Sequence, residues 1–228
     1  MTKKKKGRDN PWTRRSMERD ATKTRQIKSI FLIYCEGANT EPAYFESFPV
    51  NTETQVEALG LGRSRLALVK RILVLAKKKG LLEGQVNYDP ERQIWCVFDR
   101  DERYFPGEDK DFDAAVELAG KNGLRVAWSN DSFELWFYLH DAFIDTKVLR
   151  THFYQHLSKR FGLNYEEDGK AKAFCESLYR RFIDRQDAAI RHASRLEKRH
   201  KDVARPSLQN PCTTVHRLVT ELNKCLKR

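Results

Sequence analysis

Trp95-Cys96-Val97-Phe98-Asp99-Arg100-Asp101-Glu102 is the stretch on which the reading of this chain turns. An apolar run, already begun at Ile94, stops abruptly at three carboxylates and one arginine. Such a run reads as a buried strand, and the carboxyl end of a strand is where an open α/β sheet binds its ligands. Residues two apart in extended chain point the same way, so Asp99 is expected beside Asp101, with Arg100 facing away. Neighbouring carboxylates repel, and a hard cation such as Mg²⁺ relieves that repulsion. A solvated loop after a strand accounts for the same residues, so the argument depends on what the rest of the chain brings to this edge.

Upstream, Ser29-Ile30-Phe31-Leu32-Ile33-Tyr34-Cys35 is a second apolar run of the central-strand type. It ends at Glu36-Gly37, where the glycine permits a tight turn that leaves Glu36 at the strand tip. Asn39-Thr40-Glu41-Pro42 then opens a helix, with proline suited to its first turn and Asn39 or Thr40 to its cap. Thr54 to Leu59 is a short further strand, and a glycine-containing loop leads into a helix that closes at Lys77-Lys78-Lys79-Gly80. That loop matches neither of the common phosphate-binding fingerprints.

Downstream, a helix with Phe112, Ala115 and Ala119 stops at Asn122-Gly123, and Leu124 to Trp128 forms another short strand. It runs into the polar turn Ser129-Asn130-Asp131-Ser132 and then the apolar helix Phe133-Glu134-Leu135-Trp136-Phe137-Tyr138-Leu139-His140. Asn130 and Glu134 share a face if that helix starts early. Glu134 stands among apolar residues and needs a cation or a donor; capping of a backbone amide would meet the same need. The strand–helix alternation predicts an α/β fold with a mainly parallel sheet flanked by helices over 29–142. From 143 to 228 the periodicity is helical, a C-terminal region expected to pack on that core.

The 228 residues carry a net charge of +11. Residues 1–28 hold eleven Lys/Arg against three Asp/Glu, which is +8 of that total. This basic leader, expected to be flexible, would attract nucleic acid through Lys3, Lys4, Lys5, Lys6, Arg14 and Arg15 without sequence preference; a solubilising tail has the same composition. No run approaches the ~18 apolar residues of a membrane span, and no apolar stretch follows the N-terminal charges, so a cytoplasmic protein without membrane contact is expected. Five cysteines without CxxC spacing argue for buried thiols and against a disulfide frame or a zinc site.

Four motifs in order resemble the RloB family: Cys35-Glu36-Gly37 with Asn39-Thr40-Glu41-Pro42 and Tyr44-Phe45; Phe98-Asp99-Arg100-Asp101-Glu102; Ser129-Asn130 with Phe133-Glu134-Leu135-Trp136 and Leu139-His140; and Asn210-Pro211-Cys212-Thr213-Thr214 with Val215-His216-Arg217-Leu218-Val219. Asp131 departs from the pattern, which carries proline there. RloB-like proteins are similar to Toprim-fold nucleases, so the resemblance implies a Toprim-like core with Glu36, Asp99 and Asp101 as catalytic and metal-binding residues. It further implies Mg²⁺ (or Mn²⁺) as cofactor, phosphodiester cleavage in RNA, tRNA included, or DNA, and a part in bacterial anti-phage defence by abortive infection, often beside an ATP-hydrolysing partner protein. Glu102, Asn130 and Glu134 are secondary candidates for the same cluster. A non-catalytic nucleic-acid- or ATPase-binding subunit is the alternative, and an oligomer is compatible with either.

Overall fold

The computed structural model describes residues 27–101 and 108–227. Five strands form one sheet: β1 (Ser29–Cys35), β2 (Thr54–Gly60), β3 (Arg92–Asp99), β4 (Arg125–Asn130) and β5 (Cys212–Thr213), in the order β2-β1-β3-β4-β5. The first four are mutually parallel, and β5 pairs antiparallel with β4 through Ser129↔Thr213 and Asn130↔Cys212. The expected mainly parallel sheet is therefore present. The edge strand β5 was not readable in the sequence: two residues are too few to show a period.

Among the described residues nine α-helices accompany the strands: α1 (Thr40–Glu46), α2 (Arg65–Lys79), α3 (Glu108–Lys121), α4 (Glu134–Asp141), α5 (Arg150–Phe161), α6 (Tyr165–Asp168), α7 (Lys172–Phe182), α8 (Gln186–Arg199) and α9 (Val215–Asn223). None among the described residues is long and apolar enough to cross a membrane. Helices α2 and α3 pack together against the central strands. On their side Phe98 and Trp128 both meet the ring of Phe112 edge to face. Residues of the other parity, such as Gln93, Trp95 and Val97, face the opposite side, where Gln93 reaches Glu221 of α9.

The C-terminal helices share the core rather than build their own. Helix α7 packs on α1, and α8 packs on α4. Tyr44, Phe133, Phe137 and Tyr179 form one aromatic group drawn from both parts of the chain. Trp136 Nε1 donates to Tyr44 Oη at 3.0 Å inside it. Cys35, Cys96, Cys175 and Cys212 are buried thiols, as expected for the five cysteines, whereas Cys225 near the end of the chain is only half-buried.

The strand order places the site. From β1 the chain moves outward to β2, and from β3 it moves outward the other way to β4, so the order reverses between β1 and β3. At such a point the connections leave a crevice over the carboxyl ends of the two strands. Cys35-Glu36 and Phe98-Asp99 end there side by side, and Glu36 N donates to Val97 O at 2.8 Å.

Candidate metal centre

Asp99 is the last residue of β3, with the parity of Val97 and Trp95. Its side chain accordingly points toward α4, where Oδ2 accepts the N–H of Phe133 at 2.9 Å. Its own N–H points to Glu36 Oε2 at 3.4 Å, which ties the two strand tips together. Burial raises the Asp99 pKa well above the ordinary carboxylate range, and the nearby charges of Glu41, Glu134 and Glu36 push it the same way. Glu41, in the first turn of α1, is itself buried, and its pKa is raised by burial and by Glu134 against the opposing pull of Lys170 and backbone N–H groups. Glu36, Glu41, Asp99 and Glu134 thus form one carboxylate cluster, assembled from β1, α1, β3 and α4.

Two glycines make room for it. A Cβ on Gly37 would collide with the Glu41 carboxylate, and one on Gly60 would lie 2.5 Å from Gly37 O and 2.6 Å from Ala38 Cα. The Glu36–Ala38 turn therefore lies directly on the end of β2, with Glu41 folded over its backbone.

Three cations reach this region from distant parts of the chain. Lys170 Nζ lies 2.5 Å from Glu134 Oε1 and over the rings of Tyr154 and Tyr165. Burial works against the Lys170 charge, but the Glu134 carboxylate beside it outweighs that cost and leaves its pKa raised. Arg150, the first residue of α5, is ion-paired with Asp101. Arg65, the first residue of α2, donates through Nε to Asp99 O at 2.8 Å and through Nη2 to Arg100 O, fixing the backbone that leaves β3.

The expectation that Asp99 and Asp101 project together is corrected here. Strand β3 ends at Asp99, and Asp101 lies in the left-handed region with φ 55°. The period of two therefore stops before Asp101, whose carboxylate turns to Arg150 while its N–H donates to Asp131 O at 3.0 Å. Arg100 does face away, toward Asp109 at 2.8 Å. Asn130, a secondary candidate for the cluster, is engaged elsewhere: its Nδ2 donates to Ser207 O at 3.0 Å and Pro206 O at 3.4 Å, pinning β4 to the C-terminal segment. The Asn130–Asp131 peptide bond is cis. Glu134 does join the cluster. Glu102 and the leader residues Lys3, Lys4, Lys5, Lys6, Arg14 and Arg15 lie outside the described residues. His140 packs between Trp136 and Phe182, where burial lowers its pKa to about 4.

Sequence reasoning gave no functional role to Glu41, Lys170, Arg150 or Arg65. Glu41 left a usable signal, being an acid in the first helical turn directly after a strand tip. The other three left none, since only tertiary packing brings them here.

The donor set suits a hard divalent cation: four carboxylates supply oxygen ligands alone, the preference of Mg²⁺ and Mn²⁺. Ser132 Oγ, on the turn that donates to Asp99, and Tyr165 Oη beside Lys170 are buried without a hydrogen-bond partner among the described residues, so hydrated-ion chemistry has polar atoms to meet. Among the described residues, no three His, Cys, Asp or Glu side chains already surround one ion position. Binding would require the carboxylates to converge.

Comparison with known proteins gives one family. The model of RloB-like proteins matches residues 31–222. No curated protein and no solved structure matches the chain. With nearly the whole described fold inside the matched range, the chain belongs to the RloB-like protein family.

Proposed function

We propose that this protein is a Mg²⁺-dependent nuclease that hydrolyses phosphodiester bonds in RNA or DNA. The observation that carries the reading is the half-buried Asp99 carboxylate at the tip of β3, whose N–H points to Glu36 and whose pKa Glu41, Glu134 and Glu36 push up, at the place where the strand order reverses. Like charges are gathered there at a cost in stability that folding alone does not require.

Asp99, Glu36 and Glu41 are the residues that would hold the ion, with Asp101 available if it exchanges Arg150 for the metal. Bound Mg²⁺ would polarise a phosphoryl oxygen and lower the pKa of a bound water. Glu36, at the neighbouring strand tip, takes a proton from the attacking water or returns one to the leaving oxygen. Glu134 fixes Lys170, whose ammonium faces the same crevice and offsets negative charge on the phosphate. Arg65 holds the Asp99–Asp101 backbone so that Asp99 stays aimed inward.

The direct test is Mg²⁺-dependent cleavage of tRNA, single-stranded RNA and DNA by the parent chain, Glu36→Ala and Asp99→Ala. Loss in both variants supports the site, and undiminished cleavage in both removes it. The defence role follows from the family resemblance alone; phage plating on cells carrying the parent or Asp99→Ala tests it separately. One observation favours a second reading, a non-catalytic binding subunit: Asp101 and Glu134 are both already ion-paired. On that reading the parent binds nucleic acid and takes up no divalent ion.

A further inference from the structure

Helix α4 ends at Asp141, and three basic side chains converge on this carboxylate. His156 Nε2 lies at 2.9 Å, Arg185 Nη1 at 2.8 Å, and Arg160 Nη1 is also bonded to it. Arg160 Nη2 donates to Arg181 O at 3.2 Å, and Arg181 Nε donates to Ser177 Oγ at 2.7 Å, which brings a further arginine into the group. The Arg160 guanidinium lies over Phe161 and Phe182 at 5.4 and 4.7 Å, and that of Arg181 over Phe161 and Phe174 at 5.4 and 5.2 Å. Asp141 has a side-chain exposure of only 9%, whereas Arg185 is 58% exposed. Lys159 and Arg180 are exposed on the same helices, and Asp184 and Glu176 are the exposed acids beside them.

One arginine suffices to neutralise Asp141. The cluster supplies three, two of them stacked on aromatic rings that fix the guanidinium plane. A pre-oriented guanidinium loses less freedom when it takes a phosphate, and its forked donors match phosphate oxygens. A phosphodiester backbone, with regularly spaced single negative charges, is the ligand class that such an arrangement complements.

Its position adds a second argument. Helix α4 begins with Glu134 at the carboxylate cluster and ends seven residues later at Asp141, about 10 Å along the axis. Helix α5 begins with Arg150 at Asp101 and reaches Arg160 ten residues later, about 15 Å along. These two packed helices thus each carry one end at the carboxylates and the other at the arginines.

We propose that Arg160, Arg181 and Arg185 form a phosphodiester-binding patch that holds an RNA or DNA strand beside the carboxylate centre. The substrate class rests on the nuclease reading, but the patch is tested by binding, so the two can fail separately. The full chain, without divalent metal, is titrated into labelled single-stranded RNA, single-stranded DNA and duplex DNA over a range of salt, as parent, as the Arg181→Gln/Arg185→Gln pair and as the Arg181→Lys/Arg185→Lys pair. Each phosphate contact contributes about 0.7 to the slope of log affinity against log salt on single strands. The glutamine pair should lower that slope by about 1.4 and weaken binding roughly tenfold at low salt, while the lysine pair, which keeps the charge but loses the fork and the stacking, keeps the parent's slope and binds more weakly than the parent, and both keep the parent's circular dichroism. The best-held of the three nucleic acids identifies the strand type. Equal affinity and slope in the glutamine pair and the parent would overturn the proposal, as would absence of binding by the parent. If the glutamine pair binds weakly and the parent binds well but cleaves nothing, the patch stands and the nuclease reading falls.

Discussion

Asp99 and Asp141 lie at opposite ends of α4 and are treated in opposite ways. Asp99 accepts an N–H at the start of the helix, where the macrodipole favours an anion, yet Glu36, Glu41 and Glu134 surround it and its pKa is raised. Asp141 closes the helix, where the dipole disfavours an anion. There, against the cost of its partial burial, His156 and Arg160 hold its pKa below the usual range. One carboxylate is satisfied by its surroundings and the other is not. The difference teaches that the chain can neutralise a buried acid with its arginines, and that at Asp99 it leaves an excess of negative charge. The cation site proposed above requires such an excess; a structural ion pair does not.

The largest way to sharpen this contrast is catalytic. Asp99→Asn keeps an acceptor for Phe133 N–H but removes the charge, and Mg²⁺-dependent cleavage should fall by about a thousandfold, read from initial rates. The next is structural. Asp141→Ala should destabilise the fold by about 3 kcal/mol, because it leaves Arg160 half-buried among Phe161 and Phe182 without its carboxylate; urea unfolding measures it.

Asp99→Asn should act in the other direction on stability, raising it by about 1 kcal/mol at neutral pH in the absence of metal. The sign follows from linkage. Between the ordinary value of 3.8 and its raised folded value, Asp99 binds more proton folded than unfolded. The parent's stability contribution from this group therefore declines as pH rises through that window, and the asparagine variant lacks the decline. His140 acts oppositely: its pKa is lowered from 6.5 to about 4, so its contribution is lost as pH falls between those values. The informative quantity is thus the difference between the two chains across pH, from thermal melts. The smallest effect is expected where an acid and a base meet in solvent. Arg199→Ala breaks the exposed pair with Asp145 at 3.0 Å and should cost less than about 1 kcal/mol.

The parallel sheet was legible because β1 and β3 are continuous apolar runs that end in acids, and because helices with clear periods separate the strands. Glu36 and Asp99 were legible for the same reason, each standing at the end of such a run, and Glu134 was legible as a lone acid among the apolar residues of its helix. Asp101 was misplaced because the period of two was carried past the residue at which the backbone leaves β-geometry. Asn130 was misplaced because its amide is claimed by Ser207, and such a distant partner leaves no local mark. Arg150, Arg160 and Arg181 come from helices whose sequence periods report only which side is buried, and Lys170 and Arg185 come from short links between helices, which carry no period. Their charges acquire meaning once the helices are docked.

The central claim is that the carboxylates around Asp99 hold a divalent cation. Isothermal titration of Mn²⁺ and of Mg²⁺ into the metal-free parent and into Asp99→Asn tests it most directly, with a thermal melt of each chain at the same metal concentrations. The account predicts saturable binding and a rising melting temperature for the parent, and neither for Asp99→Asn. Equal uptake by both chains, or no uptake by the parent, would contradict it.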